Sequence, residues 1–139
     1  MKMGLLGVGI FAIALAGCST TPTAPKPVSM EEAPEPVMVT YYPKAGADSV
    51  LIKAISHAWE VYRKEHVVFE EPHVLVRGED KDGNTRLVEI FTWATHAAPE
   101  HASAAVQSVW AQEQSLCEGK NGHRGIEGGE VNMIIPAQK

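Results

Sequence analysis

Thr85-Arg86-Leu87-Val88-Glu89-Ile90-Phe91-Thr92-Trp93 decides how this chain folds. Successive side chains of a strand alternate, so Leu87, Phe91 and Trp93 fall on one face and Val88 and Ile90 on the other. A strand that is apolar on both faces cannot leave one of them in water, and its sheet must be covered above and below. Upstream, Val67 to Arg77 is a second β-rich run, and Asp82-Gly83 between the two is a strong hairpin signal. A two-residue turn there sets Glu89 opposite Val76, on the face shared with Val74, Leu87, Phe91 and Trp93.

Outward from the hairpin, Val37 to Tyr42 is β-branched and aromatic and stops at Pro43, which predicts a first strand. Gly46 to His66 places Leu51, Ile55, Ala58, Trp59 and Tyr62 at helical spacing, with Asp48 as N-cap. Pro99 suits the first turn of a second helix whose Ala102, Val106, Val109 and Leu116 repeat on one face, and Gly119 with Asn121-Gly122 ends it. Val131 to Ile135 is the expected last strand. The order β-α-β-β-α-β is the ferredoxin-like α+β arrangement, with both helices on one face of a four-stranded antiparallel sheet. The simplest cover for the other face is a second subunit, so a homodimer is expected.

The N-terminal region reads as an address. Lys2 precedes an apolar run, Leu5 to Leu15, too short for the roughly 20 residues that span a bilayer. Leu15-Ala16-Gly17-Cys18 follows, and this resembles the lipobox of bacterial lipoproteins at all four positions. The resemblance implies a signal peptide over residues 1–17 and a lipid anchor on Cys18. Ser19 stands where Asp would favour inner-membrane retention, so the implied destination is the outer membrane, with the domain in the periplasm. Two or three acyl chains hold firmly, at about 0.8 kcal/mol per buried methylene. Residues 18–36 hold five of the nine prolines and read as a tether able to reach about 50 Å. The domain is expected over residues 37–139.

Without Lys2 the 12 Lys+Arg become 11 against 17 Asp+Glu, a formal charge of about −6, which courts neither nucleic acid nor anionic lipid. With Cys18 lipidated, Cys117 has no intramolecular partner, and a buried inert thiol is expected.

Lys44-Ala45-Gly46 before a long helix, the Leu87 to Trp93 strand, and Val106-Gln107-Ser108-Val109-Trp110 together resemble the dimeric α+β barrel superfamily, in particular the antibiotic-biosynthesis-monooxygenase-like domains. That resemblance implies a cofactor-independent monooxygenase acting on an electron-rich aromatic such as a quinol. It does not extend to haem degradation: the helix-two positions where haem-degrading members carry Trp and His fall near Ala102 and Gln112.

Glu113 lies in the middle of the apolar stripe of the second helix, where a bare carboxylate is prohibitive. Glu89 raises the same question on its strand. Either Glu113 reaches the rim and Glu89 makes a structural bond to an Arg, a His or the partner subunit, or the two line a pocket; the candidate catalytic residues are then Glu89, Glu113 and His73, although His73 reaches Glu89 only if the hairpin register shifts by one. Trp59, Trp93, Trp110 and Phe91 are candidates to line a pocket for a small apolar or aromatic ligand. Tyr41 and Tyr42 point to opposite faces, so one of them is inward. His96 and His101 are five apart, which is not the spacing of helical metal ligands, and no metal site or cofactor is expected. No nucleophile or phosphate-binding motif occurs, so two functions stay open: a membrane-anchored binding or interaction domain, and the oxygenase that the resemblance implies.

Overall fold

The computed structural model describes residues 28–134. The predicted signal peptide, Cys18, the first part of the tether and Ile135 lie outside them. Six main elements follow in order: β1 (Glu35–Tyr41), α1 (Asp48–Lys64), β2 (Val74–Glu79), β3 (Thr85–Trp93), α2 (Ala104–Leu116) and β4 (Ile126–Glu130). The strands form one antiparallel sheet in the order β2-β3-β1-β4, the ferredoxin-like α+β topology expected from the sequence. Among the described residues no helix is long and apolar enough to cross a membrane.

The helices take the faces their spacing dictates. Leu51, Ala54, Ile55, Ala58 and Tyr62 of α1 are buried, while Asp48 in the first turn and Arg63 and Lys64 in the last complement the helix dipole. In α2 the buried positions are Val106, Val109 and Glu113. Ser103 caps α2, its Oγ accepting from the Val106 N–H at 3.3 Å. The helix thus begins five residues beyond Pro99, which sits instead in turns closed by Ala98 N–H to Thr95 and Glu100 N–H to Ala97.

Four expectations are corrected. The hairpin turn spans residues 80–84, because Asp80 Oδ1 accepts from the backbone N–H groups of Asp82 and Asn84, at 2.8 and 2.9 Å, and Gly83 takes a positive φ of 76°. Glu79 therefore pairs with Thr85, and Glu89 stands opposite Leu75 rather than Val76. Asn121-Gly122 does not end the second helix; both have positive φ and turn the chain between the bridged residues Lys120 and His123. The last strand is Ile126–Glu130 rather than Val131–Ile135. Its glycines carry little strand propensity, but as an edge it needs only backbone pairing to β1. Ahead of β1, Met30–Glu32 forms a short 3-10 turn, and Ala33 C=O accepts from His96 N–H at 2.7 Å, so part of the segment read as tether packs on the domain.

The inner face of β3 carries Leu87, Glu89, Phe91 and Trp93, all buried. Beneath the helices the core falls into two clusters, one around Tyr62, Phe91, Trp93, Val106 and Val109, the other around Tyr41, Leu51, Ile55, Leu87 and Cys117. Val39, paired with Glu89, packs against both. On the outer face Val88 and Ile90 are half-buried and Met38, Val74 and Val76 are exposed, an apolar surface spread over three strands.

Candidate functional site

The shifted register builds the site. On the inner face β3 places Glu89 between Val39 of β1 and Leu75 of β2, so its diagonal neighbours are Tyr41 on one side and His73 on the other. Tyr41 Oη donates to Glu89 Oε2 at 2.7 Å, and His73 Nε2 lies 2.8 Å from Glu89 Oε1. The Trp59 indole stacks on the His73 ring, with centroids 3.7 Å apart and planes 12° from parallel. The flat contact fixes the imidazole at the edge of the core, while Glu89 itself is 1 % exposed.

Glu113 approaches the same region from α2. It is 3 % exposed, and its Oε1 has no hydrogen-bond partner. Burial, and next the charge of Glu89, push its carboxyl up from 4.5 to about 8. Burial also raises Glu89, against the lowering effect of the bonds from Tyr41 and His73. The two acids are thus unequal: Glu89 has donors on both oxygens that favour its ionised form, and Glu113 has none. At neutral pH Glu113 is predominantly the neutral acid, able to donate an O–H, and Glu89, with a partner on each oxygen, is the better placed of the two to carry a negative charge. Burial, followed by the carboxylates of Glu89 and Glu113, holds the Tyr41 phenol well above its ordinary range. Tyr62 is raised too, by burial and then by the charges of Glu113 and Glu89, and its hydroxyl accepts from Trp110 Nε1 at 2.7 Å. Burial pushes the Cys117 thiol up to about 11, so it stays protonated.

A cavity of about 370 Å³ opens beside these groups, with Tyr41, Tyr62, Phe91, Trp93, Trp110 and Glu113 in its walls. Phe91 and Trp93 meet edge to face at 4.9 Å, and Trp93 and Trp110 do so at 6.2 Å, which gives the cavity rigid aromatic walls. Its size suits a small planar molecule. A larger hollow of about 480 Å³ is lined by exposed Lys44 and Lys120 with half-buried Asp80 and Asn84, and neither buried carboxyl faces it.

Of the residues singled out from sequence, Glu113, Phe91, Trp93 and Trp110 come together in the cavity wall, and Glu89 and His73 stand behind it. Trp59 is corrected: it lines no part of this cavity and buttresses His73 instead. Sequence reasoning missed Tyr62 as a wall residue and left Tyr41 and Tyr42 undivided. The signal for Tyr41 was its place two residues beyond Val39 on the face that Glu89 occupies. Among the described residues no cluster of three or more His, Cys, Asp or Glu can hold a metal ion.

No family model and no curated protein matches the sequence. Solved structures do match in shape. The chain shares the fold of the antibiotic-biosynthesis-monooxygenase domains. SnoaB of Streptomyces nogalater, a cofactor-independent oxygenase, superposes with a TM-score of 0.56 over 77% of this chain and 100% of its own, at 18% identity. Rv0793 of Mycobacterium tuberculosis gives 0.53 over 76% and 100%, at 19% identity. An antibiotic biosynthesis monooxygenase gives 0.50 over 72% and 98%, at 13% identity. At these identities the likeness concerns the fold, and the chemistry has to be argued from the residues in the cavity.

Proposed function

We propose that the domain binds a small planar aromatic molecule bearing a hydroxyl or carbonyl oxygen, in the cavity between the sheet and the helices. The observation that carries this reading is the unpartnered Glu113 Oε1, buried in the wall of an aromatic cavity. A buried polar atom without a partner costs about 1–3 kcal/mol, and a ligand oxygen within reach of the neutral carboxyl removes that penalty. Titrating the protein with a panel of aromatic probes, followed by quenching of Trp93 and Trp110, tests it. Oxygen-bearing probes should bind the native protein and lose at least about tenfold in affinity to Glu113→Leu, whereas hydrocarbon probes of the same shape should not. Equal affinities for both kinds of probe would refute the role of Glu113.

A second reading, cofactor-independent oxygenation of a quinol-like substrate, draws support from the buried base Glu89 behind Tyr41 and from the shared fold of SnoaB. Oxygen uptake with a quinol in metal-free buffer decides between binding alone and turnover.

The sequence supports a place for the domain as well. Leu15-Ala16-Gly17-Cys18 favours lipidation at Cys18 and attachment to the outer membrane with the domain in the periplasm, and the apolar outer face of the sheet favours a homodimer.

A further inference from the structure

We infer that Tyr41 carries the hydroxyl proton of an aromatic ligand to Glu89, so that the cavity selects hydroxyarenes and holds them as phenolates. This rests on the ligand-binding reading above and specifies its chemistry.

Position is the first ground. Glu89 does not line the cavity; Tyr41 does, and its hydroxyl donates to Glu89 Oε2 at 2.7 Å. A base that lies behind the wall can act on a ligand only through the residue between them. A tyrosine hydroxyl that donates to Glu89 still has lone pairs with which to accept, so a ligand O–H donating to Tyr41 completes a chain of two hydrogen bonds. The proton inventory then balances. The ligand O–H bond breaks as a new O–H forms on Tyr41, and the original Tyr41 O–H breaks as one forms on Glu89 Oε2. Tyr41 ends unchanged, Glu89 ends neutral, and one negative charge has moved from Glu89 to the ligand oxygen without any proton leaving the protein.

The surroundings favour passage over storage. The raised Tyr41 phenol disfavours a free tyrosinate, so Tyr41 relays a proton but does not remain without one. Glu113, the other carboxyl in the cavity wall, is the neutral acid and supplies an O–H for the phenolate that forms. Tyr62, the remaining phenol in the wall, already accepts from Trp110. His73 does not touch the ligand. It is a positioning residue, which engages Oε1 and leaves Oε2 to Tyr41.

The test uses the full chain with 4-nitrophenol, whose phenol and phenolate absorb differently, and with nitrobenzene as a control lacking the hydroxyl. Below the ionisation range of free 4-nitrophenol, the native protein should bind it with the phenolate spectrum. Calorimetry in buffers of differing ionisation enthalpy should show no net proton release. Tyr41→Phe should still bind both probes but leave 4-nitrophenol with the neutral spectrum. Glu89→Gln should give either that spectrum or a phenolate formed with release of one proton to buffer. His73→Gln, which keeps a donor near the Nε2 position, should retain the native spectrum, and His73→Leu should lose it. A neutral spectrum in the native protein, one proton released on native binding, or a Tyr41→Phe variant indistinguishable from native each overturns the relay while leaving ligand binding intact. If neither probe binds the folded native protein, the ligand-binding reading falls and takes the relay with it.

Discussion

Replacing Glu113 by Gln converts a titrating carboxyl into a neutral group of the same shape and isolates what its burial does to stability. In the folded chain this carboxyl titrates at about 8, against 4.5 when unperturbed. Below the lower value both folded and unfolded chains hold the proton, and the contribution to stability is fully present. Between the two values the unfolded chain releases its proton while the folded chain keeps it, so stability falls by about 1.4 kcal/mol per pH unit. The fall ends near the upper value, after a total of about 5 kcal/mol. A loss of that size rivals the whole stability of a small domain, about 5–15 kcal/mol. The side chain also borders an open cavity into which the charged form can relax. We therefore expect about 2–3 kcal/mol of the loss to be realised. Urea denaturation of native protein and Glu113→Gln at about pH 5 and about pH 9 measures it, with the carboxyls remote from Glu113 cancelling in the difference and the coupling to Glu89 included in it. The native protein should lose about 2–3 kcal/mol relative to the variant on going to the higher pH. Two parallel stability profiles would refute the assignment of a neutral buried acid.

Three further outcomes are expected. Glu89→Leu should cost about 3 kcal/mol or more in chemical denaturation, because it strands both the Tyr41 hydroxyl and the His73 imidazole; Tyr41→Phe, which removes one donor, should cost about 1 kcal/mol. Cys18→Ser in the full-length precursor should abolish labelling by radioactive palmitate and release the protein from the outer-membrane fraction; persistent labelling would disprove anchoring at that residue. The domain should run as a dimer in light scattering, and Val76→Lys, placing a charge on the exposed apolar face of the sheet, should shift it to monomer without lowering the melting temperature of the isolated subunit.

The fold was legible because its decisive signals are local. The two-sided apolar run of β3 and the helical spacing of Leu51, Ile55, Ala58 and Tyr62 each specify an element without help from the rest of the chain. Glu113 was legible for the same reason, as a polar residue where the helical period demands an apolar one. What could not be read was set by side chains acting on backbone. Asp80 draws two N–H groups into a longer turn than Asp82-Gly83 alone specifies, and Ser103 starts α2 later than Pro99 suggests. β4 is specified by pairing to β1 along its edge, and Ile126-Glu127-Gly128-Gly129-Glu130 carries no pattern that announces it. The partnership of Tyr41 with Glu89 spans 48 residues of sequence, so no spacing rule exposes it.

The five-residue turn has an evolutionary meaning. A deletion in the segment 80–84 that left a five-residue turn would slide β2 by one place along β3, turning Val74 and Val76 inward and His73 and Leu75 outward. Loop tips tolerate insertions and deletions far better than cores do. A lost codon at this tip, where it moves the register, strips Glu89 of its histidine with every residue of the cavity wall unchanged. Descendants of one ancestral domain could diverge in chemistry through turn length alone, and an alignment of their wall residues would show no trace of it.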